Sequence, residues 1–245
     1  RLVACATMNL LRLTACLLLT TGLASAQDAA TQLAEAKKLL KEVSPGQFDL
    51  NGIQINAATR ELRIPCSVLH QKLPIEYALC HEAGEKVHET ILQTAVRPIE
   101  VQLALLLANY QPGTKGILDK LDAKEERPYA SDTEPATPGS NRLAIHCEWK
   151  EGEKVKKVPL SDFIQDSDKR QTPPDLDTWI FNGSIIDKDG FNAELTGSII
   201  STYVDRQAVI NSAAKGNHRD DLWISMPSNI PAEETKVTLI ITPAK

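Results

Sequence analysis

Residues 74–113 read PIEYALCHEAGEKVHETILQTAVRPIEVQLALLLANYQPG and pass from a strand pattern to a helix pattern. Ile75, Tyr77 and Leu79 alternate with Glu76, Ala78 and Cys80, the period of two of a half-buried antiparallel strand. Glu82 to Glu85 form a Gly-containing turn, and Val87 to Leu92 follow as a further strand. From Ile99 to Ala108 only Glu100 and Gln102 are polar. Leu103, Leu105, Leu106 and Leu107 therefore cover nearly every face, and such a helix must be buried on most sides. Pro98 opens it, where the missing N–H costs nothing, and Pro112-Gly113 closes it. The run is about half the ~20 residues needed to cross a bilayer, so it reads as the central helix of a core.

On the N-terminal side, Ile53 to Ile55 and Glu61 to Leu69 look like strands, with His70-Gln71-Lys72 as the turn into a strand over 73–80. Before them, Ala29, Leu33, Ala36, Leu40 and Val43 recur at helical spacing over Asp28 to Val43, an N-terminal amphipathic helix within 27–46 that Pro45-Gly46 ends. On the C-terminal side, 122–141 has almost no large apolar residue and carries Pro128, Pro135, Pro138 and Gly139, the composition of a flexible loop joining halves 47–121 and 142–245. Strands are expected at Leu143 to Trp149, Val155 to Val158, Trp179 to Phe181, Glu194 to Val204, Asp221 to Met226 and Lys236 to Thr242. Short helices are expected at Ser161 to Gln165 and at Asp205 to Asn211, the latter with Asp205 as its N-cap. Strands punctuated irregularly by helices read as α+β, with largely antiparallel or mixed sheets packed on a buried helix.

The leader region 1–26 has the parts of an export signal. Met8 is a plausible initiator, Arg12 gives a short positive region, Leu13 to Gly22 is an apolar run, and Ala24-Ser25-Ala26 is a cleavage signature before Gln27. Leu13-Thr14-Ala15-Cys16 resembles a lipidation motif, but the apolar run mostly follows that Cys. Cleavage would leave no stable membrane span and would place the protein in the periplasm, at the cell surface or outside a bacterial cell. It would also remove Arg1, Arg12, Cys5 and Cys16, deepening the net charge from −5 to −7. An acidic chain with 4 % aromatic residues argues against a nucleic-acid binder, which needs a basic face or stacking platforms.

Cys66, Cys80 and Cys147 remain, and in an oxidising compartment they allow one disulfide or none. The reactive side chains cluster at Cys80-His81-Glu82 and His88-Glu89. His88-Glu89 lacks the second His of a zinc-binding H-E-x-x-H helix. His81, His146 and Cys147 are weak metal candidates, because neighbours on a strand face opposite ways and each adjacent pair offers one ligand. Asp187-Lys188-Asp189-Gly190 lacks the acids of a calcium loop and reads as a hairpin turn. No nucleophile elbow, P-loop or dinucleotide fingerprint occurs, and no cofactor is implied.

The quoted stretch resembles the YdjY-like family of exported bacterial proteins. That family's pattern is a strand ending in E-Y or E-V, a G-K-x-H-E turn, a T-x-x-x-P step and a buried A-L-L-L-L-G helix. The match runs through Glu76, Tyr77, His88, Glu89, Thr94, Pro98, Ala104 and Leu105 to Leu107. It departs at Glu85, inserted between Gly84 and Lys86, and at Asn109, where the family has Gly. Trp179 to Ser184, Ile199 to Asp205 and Asp220 to Trp223 extend the likeness over about 48–243. The resemblance implies export and a single α+β unit over 47–245, and it brings no reaction. The clustered C-x-x-C-x-x-C run of an iron–sulfur site is missing. Two expectations follow. The first is a non-catalytic binding or structural module contacting a protein or envelope component, with Glu76, Lys86 and Arg97 as binding candidates. The second is an exported hydrolase or metal-dependent enzyme using His88 as base and Glu89 as its orienter or as a ligand.

Overall fold

A computed structural model of the protein describes residues 23–70, 74–117, 133–173, 175–188 and 190–244, with side chains from Thr31 onward. The export signal expected from the sequence, up to residue 22, the start of the strand expected over 73–80 and the loop over 122–132 lie outside the described residues.

Chain order begins with α1 (Leu23–Lys38), β1 (Leu40–Ser44), β2 (Gln47–Leu50), β3 (Ile53–Asn56), β4 (Glu61–Val68) and β5 (Tyr77–His81). A 3-10 turn (Val87–Glu89) leads into β6 (Thr90–Thr94) and α2 (Pro98–Leu107). The second half holds β7 (Arg142–Glu151), β8 (Lys154–Pro159), a 3-10 turn (Leu160–Phe163), β9 (Ile164–Asp166) and β10 (Trp179–Phe181). It continues with β11 (Ile186–Asp187), β12 (Gly190–Phe191), α3 (Asn192–Thr196), β13 (Ser198–Ser201), β14 (Ile210–Ser212), β15 (Trp223–Ser225) and β16 (Lys236–Pro243).

The expected α+β architecture is overturned. Strands β4, β16, β7, β10, β14, β13, β5 and β6 pair in that order, and β6 returns to β4, closing an eight-stranded barrel. Helix accounts for only about 15 % of the described residues, so the closing of the sheet organises the core. Pairing is antiparallel except at β5–β6 and β13–β14, which are parallel. The β1–β2–β3 meander extends from β4, and β8 pairs with β7 outside the ring.

The partner switch on β4 makes the closure possible. Along one edge its first residues pair with β3, and Ser67 and Val68 pair with β6. Pro65 sits between the two sets, and its carbonyl on that edge accepts from Thr94 Oγ1 at 2.7 Å. Its missing N–H therefore falls in the gap, where no ladder bond is lost. Inside, alternating residues meet in rows across three strands: Leu62, Ile241 and Ile145; Ile64, Leu239 and Cys147; Cys66, Val237 and Trp149. All are buried in one apolar core, as expected for an eight-stranded barrel filled by its own side chains.

The strongly apolar helix is buried as its composition requires, but it packs on β3, β13, α1 and α3 as an addition to the barrel core. Its N-terminus is closed by two acids. Glu100 accepts from Arg97 N–H at 2.9 Å and from Asn51 Nδ2, and Glu194 accepts from Ile99 N–H at 2.7 Å and from the Arg97 guanidinium. Carboxylates there satisfy orphan amides and oppose the helix dipole. At the other end Tyr110 N–H bonds Leu105 O and Asn109 N–H bonds Leu106 O, a Schellman closure with Asn109 left-handed at φ 61°. Asn tolerates that conformation better than other side-chain-bearing residues, which accounts for its place where the family has Gly.

Several local expectations also change. The N-terminal helix stops at Lys38 and the chain turns directly into β1. Residues 87–89 form a 3-10 turn before β6 begins. Asn192–Thr196 is helical, so the strand expected from Glu194 starts at Ser198, after left-handed Gly197. The helix expected over 205–211 is a turn leading into β14: Asp205 caps Gln207 N–H at 2.8 Å, but no helix follows. In the loop over 122–141, the described part is tied down, with Thr133 bonded to Thr114 and Thr137 N–H to Gln111.

Candidate functional site

The pairing of β5 with both β6 and β13 builds one polar cluster from the two halves of the chain. Glu76 precedes β5, and its carbonyl accepts from Thr202 N–H at 2.9 Å and Thr202 Oγ1 at 2.8 Å just beyond β13. The turn carrying Lys86, His88 and Glu89 is docked by Lys86 N–H on Thr196 O at 3.1 Å and by Glu76 N–H on Glu89 O at 3.2 Å. Gly84 enables that docking, since a Cβ there would lie 2.5 Å from Gly197 Cα and 2.8 Å from Thr196 O. The inserted Glu85 is exposed to solvent.

Lys86 Nζ sits between two carboxylates, 3.2 Å from Glu89 and 3.6 Å from Glu76. It also lies over the Tyr77 ring at 5.9 Å, a favourable cation–π placement. Beneath it Tyr77 OH donates to Asp205 Oδ2 at 3.1 Å, so its contact with Tyr203 OH at 3.2 Å is one in which Tyr203 donates. The rings of Tyr77 and Tyr203 meet edge to face, centroids 6.0 Å apart. Asp205 is fixed further by donating its N–H to Asn211 Oδ1 at 2.7 Å.

Burial dominates the electrostatics. It raises the Asp205 carboxyl above the usual range, against the lowering pull of Gln207 N–H, Tyr77 and Lys86. Glu76 is raised by burial and by neighbouring Glu89, with Lys86 opposing and exposed Asp220 adding to the rise. Burial would lower Lys86, but Glu89 and Glu76 outweigh it and raise the ammonium. Tyr77 and Tyr203 are both raised, first by burial, so they act as neutral hydrogen-bond groups.

His88 projects outward, its side chain 69 % exposed, with Nε2 3.3 Å from Glu89 Oε1. Glu76, Lys86, His88 and Glu89, all sequence candidates, are thus brought together. Arg97 is not among them: its guanidinium is engaged by Glu194 at 2.8 Å, where it braces α2 against α3. His81 Nδ1 accepts from Ala83 N–H in its own turn. His146 lies on β7 with Asp162, Asp177 and Lys157 around it, lowered by burial and Lys157, whereas Cys147 faces the core. Among the described residues no three His, Cys, Asp or Glu side chains are placed to hold a metal.

The disulfide allowed by the sequence is not formed: Cys66, Cys80 and Cys147 are buried free thiols. Cys66 pairs with Val237 and Cys147 with Leu239, so β16 separates the two. Two strand spacings of ~4.8 Å exceed the ~7 Å Cα limit for a bridge. Burial pushes Cys66 up to about 12 and raises Cys80 and Cys147, so all three are inert thiols at neutral pH.

Tyr203, Asp205 and Asp220 belong to the cluster and were not singled out by their residue chemistry. Asp205 reads as a cap and Asp220 as a solvated charge, and only their place in the second-half motifs pointed toward them. The YdjY domain family model matches residues 53–242, and the chain belongs to that family. No curated protein and no solved structure matches it.

Proposed function

We propose that this YdjY-domain protein is an exported, non-catalytic binding module of the bacterial envelope, with Glu76, Lys86, His88 and Glu89 as its recognition surface. The carrying observation is that these side chains engage one another on a half-exposed wall of the barrel, with His88 outermost. A general base needs to be aimed at a reacting proton and works best where water is excluded. His88 is solvated, its side chain 69 % exposed; Glu89 holds Lys86 through Oε2 and meets His88 through Oε1, so the imidazole is tied into the surface cluster rather than enclosed. With exposed Asp220 close enough to act on Glu76, the acids facing solvent there are Glu76, Glu89 and Asp220 against Lys86 and His88, so a partner presenting cationic groups is favoured electrostatically. The export element rests on the leader pattern over residues 1–26 and its A-x-A end before Gln27.

The test places a photocrosslinker at position 88 of the protein expressed in bacteria. A discrete envelope adduct is expected, weakened by the Glu76→Gln/Glu89→Gln double variant, with recovered protein beginning at Gln27. An adduct indifferent to that variant would overturn the surface. Hydrolytic turnover that drops with His88→Ala would overturn the non-catalytic reading.

A further inference from the structure

We propose that the free edge of the β7–β8 hairpin takes up an extended acidic segment of a partner protein as an added strand. Among the described residues β8 pairs with β7 alone, from Glu151↔Lys154 to His146↔Pro159, leaving its other side without a strand neighbour. Such an edge presents a row of N–H and C=O groups that can template a further strand.

Charge identifies the occupant. Lys154, Val155, Lys156 and Lys157 are all exposed, and Lys150 stands opposite Val155 on β7. Among the described residues only Lys156 of these four lysines is in a salt bridge, with Glu151 at 3.2 Å. Glu148, opposite Lys157, is committed to Arg63 across the sheet. This basic edge belongs to a chain of net charge −5, so it does not follow from composition. A second copy of the same strand would set lysines against lysines, which is destabilising, whereas an acidic strand would set opposite charges in register.

Edge lysines also serve to block unwanted pairing. Val155 argues for an occupant: it is 61 % exposed between Lys154 and Lys156, and among the described residues only Val43 is a more exposed large apolar side chain. A β-branched residue at that place gives an added strand an apolar contact between charged ones. Exposed Val43 sits on β1, the strand that ends the β1–β2–β3 meander of the same sheet, but Lys41 and Glu42 there carry both signs and select no partner.

The test uses a synthetic peptide of alternating Glu and Val, with a Thr–Val peptide of equal length as control. Amide hydrogen exchange of the intact protein is expected to slow at Lys154 to Val158 with the acidic peptide only. The Lys154→Glu/Lys156→Glu variant should bind it about tenfold more weakly, from two reversed cross-strand pairs of up to ~1 kcal/mol each, and the Lys→Arg pair should restore binding. Peptide binding without slowed exchange at those amides would show diffuse charge attraction and overturn the proposal. Absence of binding would leave the lysines as an edge guard only and overturn it equally.

Discussion

Gly84→Ala is the sharpest probe of how the candidate site is held. The added Cβ would fall 2.5 Å from Gly197 Cα and 2.8 Å from Thr196 O. Both atoms are backbone, so no side-chain rotation relieves the overlap, and either the turn or the Gly197 corner must move. Overpacking of this kind costs roughly 1–3 kcal/mol. The displaced turn also strains two bonds, Lys86 N–H to Thr196 O and His81 N–H to Gly197 O at 2.8 Å, each contributing about 1 kcal/mol. A total near 3 kcal/mol corresponds to a melting point lower by about 6–12 °C for a protein of this size. Gly152→Ala is the control: it has φ 63° and nothing within 4 Å of the new Cβ, so it carries only the ~1–2 kcal/mol of left-handed strain. Thermal melts followed by circular dichroism compare the two. If Gly84→Ala is no more destabilising than Gly152→Ala, the close docking of the turn on Gly197 is wrong, and the placement of Lys86 and Glu89 that depends on it is wrong too.

The other predictions concern helix closure, burial of charge and the thiols. Glu100→Ala strips Arg97 N–H and Asn51 Nδ2 of their acceptor inside the fold and should cost about 3 kcal/mol in urea unfolding; a loss under 1 kcal/mol would refute the closure. Asn109→Gly should be neutral or stabilising and Asn109→Val should cost about 1–2 kcal/mol, an order that would reverse if residue 109 were not left-handed. Asp205 binds its proton more tightly folded than unfolded, so its contribution to stability is fully present below 3.8 and is lost as pH rises through its raised value. Asp205→Asn should therefore gain stability relative to the parent as pH rises above 3.8, and a pH-independent difference between the two urea midpoints would contradict the raised carboxyl. Alkylation in denaturant without reductant should modify Cys66, Cys80 and Cys147 alike, and protection of any two would reveal a bridge.

Much of the local structure was legible because alternation and turn chemistry are local. Tyr77 to Cys80 of the strand expected over 73–80, Leu143 to Trp149 and Lys236 to Thr242 fall within observed strands, and the buried helix runs from the Pro98 that announced it. Closure of the sheet was not legible. An open sheet over a helix and a closed barrel ask for the same alternation on each strand, and they differ only in whether the last strand finds the first. Here that difference rests on two register pairs, Ser67↔Gln93 and Val68↔Leu92. The one local hint was Pro65, since a proline within an eight-residue strand marks a place where a ladder bond is missing, and the switch from β3 to β6 occurs there.

The candidate site divides along the same line. Glu76, Lys86, His88 and Glu89 lie within one short span, so their proximity needs only the β5–β6 crossover, and sequence spacing found them. Tyr203 and Asp205 reach Tyr77 across more than a hundred residues because β13 is paired antiparallel to β5. A lone Asp before a Gln–Ala turn carries the same local signal whether it caps that turn in water or buries a carboxylate against two tyrosines. Asp205 does both: one oxygen caps Gln207 N–H while the other accepts from Tyr77. A dual role of this kind sets the consequence of removing it. Asp205→Ala would free the turn and unpartner the tyrosine pair together, whereas Asp205→Asn can keep its oxygen on Gln207 N–H and donate from Nδ2 to the Tyr77 hydroxyl, which then donates to Tyr203. The conservative variant therefore separates the charge of Asp205 from its geometry, and the truncation does not.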